Sequence, residues 1–222
     1  MYASGSTWAY NVMRAIAEPA RGRFVNTLAD LAGIDDGHSE VVKSHDLAPD
    51  VAAALLAHTP RIVATIRDPR DAMSSLMLYQ HYPRDLARAT IVRSALFVAD
   101  IAARPETLLL RYEDRFPDNP ATIPRIAAAM GIALSAETAV AIHVRFRRSA
   151  VERVITGLDT LPSAIRDPHS GDVFDPLSQW HKHHAGRTGE IGRWVRALRS
   201  RDARAIEHDL AAWMHQFRYL NG

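Results

Sequence analysis

Three short stretches carry residues able to handle a charged group. In "KSH", Lys43, Ser44 and His45 close a short apolar run that starts at Glu40. A neutral imidazole, with an ordinary pKa of about 6.5, can take a proton at neutral pH. Lys43 lies two positions earlier, on the same face of an extended segment, where its ammonium can meet developing negative charge. In "RDPRDAMSS", Arg67 offers a planar fork of donors and Ser75, eight positions on, a hydroxyl. That pair suits a phosphate, although Arg67 can also pair with Asp68 or Asp71. In "ASGSTWAYNV", Ser4, Gly5, Ser6 and Thr7 make a small turn that runs into a helical pattern beginning with Trp8. A helix start offers free N–H groups and a partial positive charge. Gly5 allows close backbone approach, Ser6 and Thr7 add hydroxyls, and Trp8 can stack on a base. The same residues also make an ordinary helix cap.

Strands must deliver these groups. "EVVKSH" reads as a strand with Lys43, Ser44 and His45 at its carboxyl end. "PRIVATIRDPRD" contains a buried strand, Ile62 to Ile66, ending at Arg67 and a Pro turn. "TLLLRYED" is a third strand, with Tyr112 and Glu113 at its exit. Helical patterns run from Thr7 to about Ala17, on through Leu78, from Asp85 to Ala103, and through "NPATIPRIAAAMG", with Pro120 in its first turn and Gly131 past its end. Residues 157–188 are rich in Pro, Gly, Asp and His and read as loop. A last helix, about Asp202 to Arg218, places Ile206, Leu210, Met214 and Phe217 on one core-facing side. Alternating strands and helices predict an α/β fold of three layers, a central parallel sheet flanked by helices, with functional groups at the carboxyl ends of the strands.

The 222 residues, 47% hydrophobic, suffice for one domain with a full core. Cys is absent, which removes disulfides and thiolate metal sites. The sequence holds no run of about eighteen apolar residues and no basic-apolar-small leader, so a cytoplasmic address and no membrane partner are expected. A net charge of +2 does not suggest nucleic acid. Of 27 basic residues all but Lys43 and Lys182 are Arg, a usage expected of a GC-rich bacterial genome. A Lys retained in such a chain points to a need for a compact, ionisable ammonium. The "HKHH" run, His181 to His184, fits no specific ligand spacing and reads as polar loop, so no metal is expected.

Taken in order, these stretches resemble the sulfotransferases that use 3′-phosphoadenosine 5′-phosphosulfate (PAPS), the family of cytosolic and bacterial enzymes. "ASGSTW" matches the family's K-S-G-T-T-W loop, and "KSH" its K-T-H strand end. "RDPRDAMSS" matches R-[ND]-x-x-D with its following Ser, "LRYED" matches L-x-Y-E-D, and "RTGEIGRW" matches R-K-G-x-x-G-x-W. The resemblance implies a single sulfotransferase domain over residues 1–222 with a P-loop-like phosphosulfate loop. It implies PAPS as co-substrate, the desulfated nucleotide PAP as product, and a hydroxyl or amine acceptor on a small molecule or glycan. By the same resemblance Ser4, Gly5, Ser6, Thr7 and Trp8 hold the phosphosulfate and adenine. Arg67, Ser75, Arg187, Thr188 and Gly189 take the 3′-phosphate, and Tyr112 and Ser149 complete the nucleotide site. Lys43 attends the transferring group and His45 is the general base.

The chain departs from the family at three positions. Ala3 stands where the loop's first Lys belongs, Thr188 replaces a Lys, and Ala150 replaces an aromatic beside adenine. The fold also expects a buried strand before the loop, where only Met1 and Tyr2 precede Ala3. Either the chain is truncated or mis-started, or another segment fills that place. Two other readings remain open: a P-loop-like small-molecule kinase, though the G-x-x-x-x-G-K-[ST] spacing is missing, and an inactive PAPS-binding relative. Acceptor contacts are expected from residues 18–40, 79–90 and 157–180. Their few aromatics, Phe24, Tyr79, Tyr82 and Phe174, favour a polar acceptor such as a sugar or amino compound. The family's C-terminal dimer motif is not recognisable, and the oligomeric state stays open.

Overall fold

The computed structural model describes residues 1–18, 24–25, 41–45, 47, 49–57, 61–168, 171–184 and 189–220. Helix α1 (Ser6–Ala17) leads to β1 (Phe24–Val25), β2 (Val41–Val42) and α2 (Pro49–Ala57). Strand β3 (Val63–Ile66) is followed by α3 (Pro69–Tyr79), α4 (Arg84–Ala102) and β4 (Leu108–Arg111). Then come α5 (Thr122–Met130), α6 (Ala136–Phe146), α7 (Arg148–Thr156), β5 (Ile165–Arg166) and β6 (Val173–Phe174). Helices α8 (Trp194–Ala197), α9 (Ser200–Asp209) and α10 (Ala211–Gln216) finish the described chain. The strands pair in twos: β1 with β2 and β3 with β4, both parallel, and β5 with β6 antiparallel.

Strand alternation splits the interior into two cores. On one face of β3–β4, Leu110 joins Val12 and Ile16 of α1, Ile123 and Ile126 of α5 and Phe146 of α6. On the other face, Ala64 and Ile66 join Met73 and Leu76 of α3, Ile91 of α4 and Ile206 and Trp213 of α9 and α10. These are the three layers expected from the sequence.

Strands β2 and β3 are not paired with each other. Residues of both, including Val41, Val42, Val63 and Ala64, line an apolar groove of about 330 Å³, roofed by Ala9 and Met13 of α1 and Phe97 and Val98 of α4. No described strand fills it. The segment ahead of the loop is instead tied to β3: the Met1 amino nitrogen donates to the Thr65 carbonyl at 3.0 Å.

Several boundaries follow the local chemistry. Asp68 caps α3 by accepting the Arg70 N–H at 2.9 Å, with Pro69 opening the helix. Gly131 ends α5 at φ +70°. Two expectations are corrected. The single helix over 202–218 is two helices that meet at Leu210 (φ −117°, ψ 20°), and the bend lets Trp213 join Ile206, Leu210 and Met214 in the core. Residues 157–188, read as loop, include the β5–β6 hairpin, a bridge from Phe174 to His181, and a tight turn over Lys182–His184. No helix among the described residues is long and apolar enough to cross a membrane.

Candidate active site

The loop before α1 is shaped by Gly5, which sits at φ +84°; a Cβ there would lie 2.9 Å from Cζ of Phe116. The first helical bond runs from the Ala9 N–H to the Gly5 carbonyl at 3.1 Å. The N–H groups of the preceding turn therefore have no partner within the helix, and Gly5, Ser6 and Thr7 line a cleft. Ser4 does not. It is fully buried, with Oγ 2.6 Å from both the Met1 carbonyl and Thr65 Oγ1. Its hydroxyl fastens the loop to β3. Trp8 borders the cleft but is mostly core: it packs edge-on against Phe116 and its indole N–H donates to the Phe146 carbonyl at 2.8 Å.

Strand β2 delivers Lys43 and His45 into the same cleft. The His45 carbonyl accepts the Ser94 hydroxyl of α4 at 2.8 Å, and Ser94 Oγ in turn accepts the Tyr2 N–H at 3.2 Å. The Tyr2 ring stacks on the imidazole at 4.1 Å, 22° from parallel. Nδ1 of His45 is buried, and the Met1 backbone faces the ring.

The exits of β3 and β4 are joined by Glu113, which accepts the Asp68 N–H at 2.9 Å on one oxygen and the Tyr219 hydroxyl at 2.7 Å on the other. Burial, with the Glu113 carboxylate beside it, pushes the Tyr219 phenol upward. Arg67, 7% exposed, donates to the Ala3 carbonyl at 3.2 Å and the Glu190 carbonyl at 2.7 Å. Its guanidinium lies 4.5 Å from the Tyr112 ring centre and 3.6 Å from Asp71 Oδ2. Asp71 is fully buried and accepts the backbone N–H groups of Gly192 (2.7 Å) and Trp194 (2.9 Å). Trp194 lies beneath the Arg70 guanidinium at 4.0 Å. Gly189, at φ +63°, is closely enclosed: a Cβ would stand 2.5 Å from Arg148 Nη1 and 2.8 Å from the Tyr112 hydroxyl.

His45, Lys43, Gly5, Ser6, Thr7, Trp8, Arg67, Ser75, Tyr112 and Gly189 thus surround one cleft of about 410 Å³. Ser149 is exposed on the first turn of α7 and does not border it. Arg187 and Thr188 lie outside the described residues. Sequence reasoning missed Tyr2, Arg148 and Arg193, and set the histidines at 181 and 183 aside as polar loop. Arg193 was within reach, since it sits inside the "RTGEIGRW" stretch; it contacts the Tyr79 hydroxyl and borders the cleft. Arg148 had no signal beyond its place next to Ser149.

The chain is similar in structure to mouse sulfotransferase SULT7A1, whose crystal structure is complexed with PAP. The TM-score is 0.67 at 16% identity, over 96% of this chain and 81% of that one. The fold is a sulfotransferase fold. No family model matches the chain, and no curated protein matches it by sequence.

On this sulfotransferase fold the cleft is cationic and polar. Burial lowers the Lys43 ammonium to about 8. Burial, then the neighbouring Lys43 charge, holds His45 well below its usual range. At neutral pH the pair is therefore a charged ammonium beside a neutral imidazole, with Arg67 across the same space. That combination can neutralise an anion and accept a proton.

Proposed function

We propose that the chain is a PAPS-dependent sulfotransferase acting on a hydroxyl or amine of a small-molecule or glycan acceptor. The observation that carries this reading is the meeting, in one cleft, of the α1 amino end, the Arg67–Ser75 pair and the Lys43–His45 pair. The residues present suit the nucleotide. Gly5 holds a positive-φ turn that a Cβ, driven against Phe116, would disturb, the first N–H groups of α1 are available to the phosphosulfate, and Arg67 with Ser75 offers charge-assisted donors to the 3′-phosphate.

The reaction is an in-line displacement at sulfur. The acceptor oxygen or nitrogen forms a bond to sulfur while the bond from sulfur to the bridging phosphate oxygen breaks, and that oxygen keeps the electron pair. His45 takes the acceptor's proton. Lys43 and the α1 N–H groups bear the charge that spreads over the transferring group. Ala3 removes the family's lysine from the bridging oxygen. Lys43, which borders the same cleft, and the α1 N–H groups are left to carry the charge at that oxygen.

A second reading, nucleotide binding without turnover, is favoured by Ala3 itself. One experiment separates the two: PAP and ADP binding by calorimetry, beside transfer of labelled sulfate from PAPS to a panel of hydroxyl and amine acceptors. The expected result is a clear preference for PAP together with transfer. Equal affinity for ADP would return the kinase reading, and tight PAP binding with no transfer to any acceptor would leave the binder.

A further inference from the structure

The hairpin and turn that close one wall of the cleft bring Asp172, His181 and His183 together. His181 Nδ1 lies 2.8 Å and His183 Nδ1 2.5 Å from the same carboxylate oxygen, Asp172 Oδ2. The ligand atoms of all three lie within 4.8 Å of one another. We propose that these three side chains form a site for a divalent transition metal of the zinc class.

The donor set is two imidazole nitrogens and one carboxylate oxygen. That set suits zinc and its neighbours and is poor for calcium or magnesium, which prefer oxygen alone. The groups are held from behind, as metal ligands commonly are. Asp172 Oδ1 accepts the His183 backbone N–H at 3.1 Å, and the Asp172 carbonyl accepts the Asp167 N–H at 2.8 Å across the hairpin. His181 bridges Phe174 by backbone and stacks on its ring at 5.0 Å, 12° from parallel. Lys182, between the two histidines in sequence, is drawn away: its ammonium donates to the Thr156 carbonyl at 2.6 Å and to Asp159. No like charge from that residue opposes a cation.

Both histidines border the cleft, while Asp172 stands behind them. A bound ion is thus reached from the cleft side. On binding, the metal takes the Nδ1 lone pairs and the carboxylate oxygen, and each ring proton moves to Nε2. The spacing His-x-His alone did not indicate this; the third ligand comes from the other arm of the fold, nine positions before His181.

The test is metal binding and is independent of any transfer activity. The protein, first treated with a chelator, is titrated with Zn²⁺ by calorimetry. One ion per chain is expected with a Kd of about 10 μM or tighter, and a higher melting temperature in its presence. Asp172→Asn, His181→Ala and His183→Ala should each weaken binding by at least about tenfold, whereas His208→Ala, at an exposed position of α9, should bind as the unchanged protein does. If the unchanged protein binds more weakly than about 1 mM, or no more tightly than Asp172→Asn, the three groups are only a hydrogen-bonded clamp and the proposal fails. Should a variant not fold, the stoichiometry, affinity and melting shift of the unchanged protein decide the matter alone.

Discussion

Asp71 Oδ2 accepts the backbone N–H of Gly192 at 2.7 Å, across 121 positions of sequence. The same carboxylate accepts the Trp194 N–H at 2.9 Å. Asp71 belongs to the first turn of α3, next to the strand exit that carries Arg67. Gly192 belongs to the segment that carries Gly189 and Arg193 into the cleft. Two sequence motifs that were both expected at the 3′-phosphate are therefore joined in the fold, and Asp71 is the join.

Asp71→Ala removes the acceptor of two backbone N–H groups and the nearest carboxylate to Arg67. Stranding those donors costs about 1–3 kcal/mol each, so a loss of about 2–6 kcal/mol in urea denaturation is expected. PAP affinity should fall with it, because the 189–194 segment loses its anchor. A variant of unchanged stability would show that the segment is held by other contacts.

His45→Asn and Arg67→Ala should part company. The first should leave PAP affinity near that of the unchanged protein and lower sulfuryl transfer by about two to four orders of magnitude. The second should weaken PAP binding first. Transfer unchanged in His45→Asn would assign the imidazole to structure alone.

Lys43 sets an alkaline limit. Its ammonium, lowered by burial to about 8, is charged at pH 7 and neutral above that value. Transfer should be level from about pH 6 to 7.5 and fall beyond pH 8, while Lys43→Arg, always charged, should be slow but lack that fall. An alkaline limb that survives in Lys43→Arg would move the ionisation to another group.

Stability has the opposite dependence. The folded chain gives up the Lys43 proton near pH 8, the unfolded chain near its ordinary 10.5. Between those values the unfolded state holds more protons, so stability rises with pH there. Lys43→Met should be more stable than the unchanged protein at pH 7, by about 1–3 kcal/mol, and should abolish the rise. Thermal melts across pH 7–10 give the comparison; a less stable Lys43→Met would mean that the ammonium is well solvated.

Gly189→Ala should spare the fold and damage the site. The added methyl meets Arg148 and the Tyr112 hydroxyl and sits on a positive φ. PAP affinity should fall by about tenfold or more with little change in far-UV circular dichroism. Unchanged affinity would place the nucleotide away from Gly189.

Much of this was legible in the residues. β3 and β4 read clearly because a buried parallel strand is a continuous apolar run, and α3 because Asp68 and Pro69 announce its start. The cleft residues were legible where they follow a strand exit or a helix start. What escaped detection depends on distance in sequence. Ser4 looked like a ligand hydroxyl because nothing local says that Thr65 lies beneath it. Trp8 could be read as a stacking ring or as core because its partner, the carbonyl of Phe146, lies far off in sequence. The histidines at 181 and 183 looked like loop because Asp172 reaches them only through a hairpin too short to show an alternating pattern.

The clasp at Glu113 bears on how the protein is made. Glu113 holds the Asp68 N–H with one oxygen and the Tyr219 hydroxyl with the other. Arg70 and Arg111 donate to the Tyr219 and Arg218 carbonyls, each at 3.2 Å. The cleft's two strand exits are thus secured by residues that a ribosome delivers more than a hundred positions after Glu113. A nascent chain that has emerged only through α7 would have the loop, β3 and β4 in hand but no clasp across them. Long-range closures of this kind come late, so nucleotide binding should switch on only after Arg218 and Tyr219 have been made and docked.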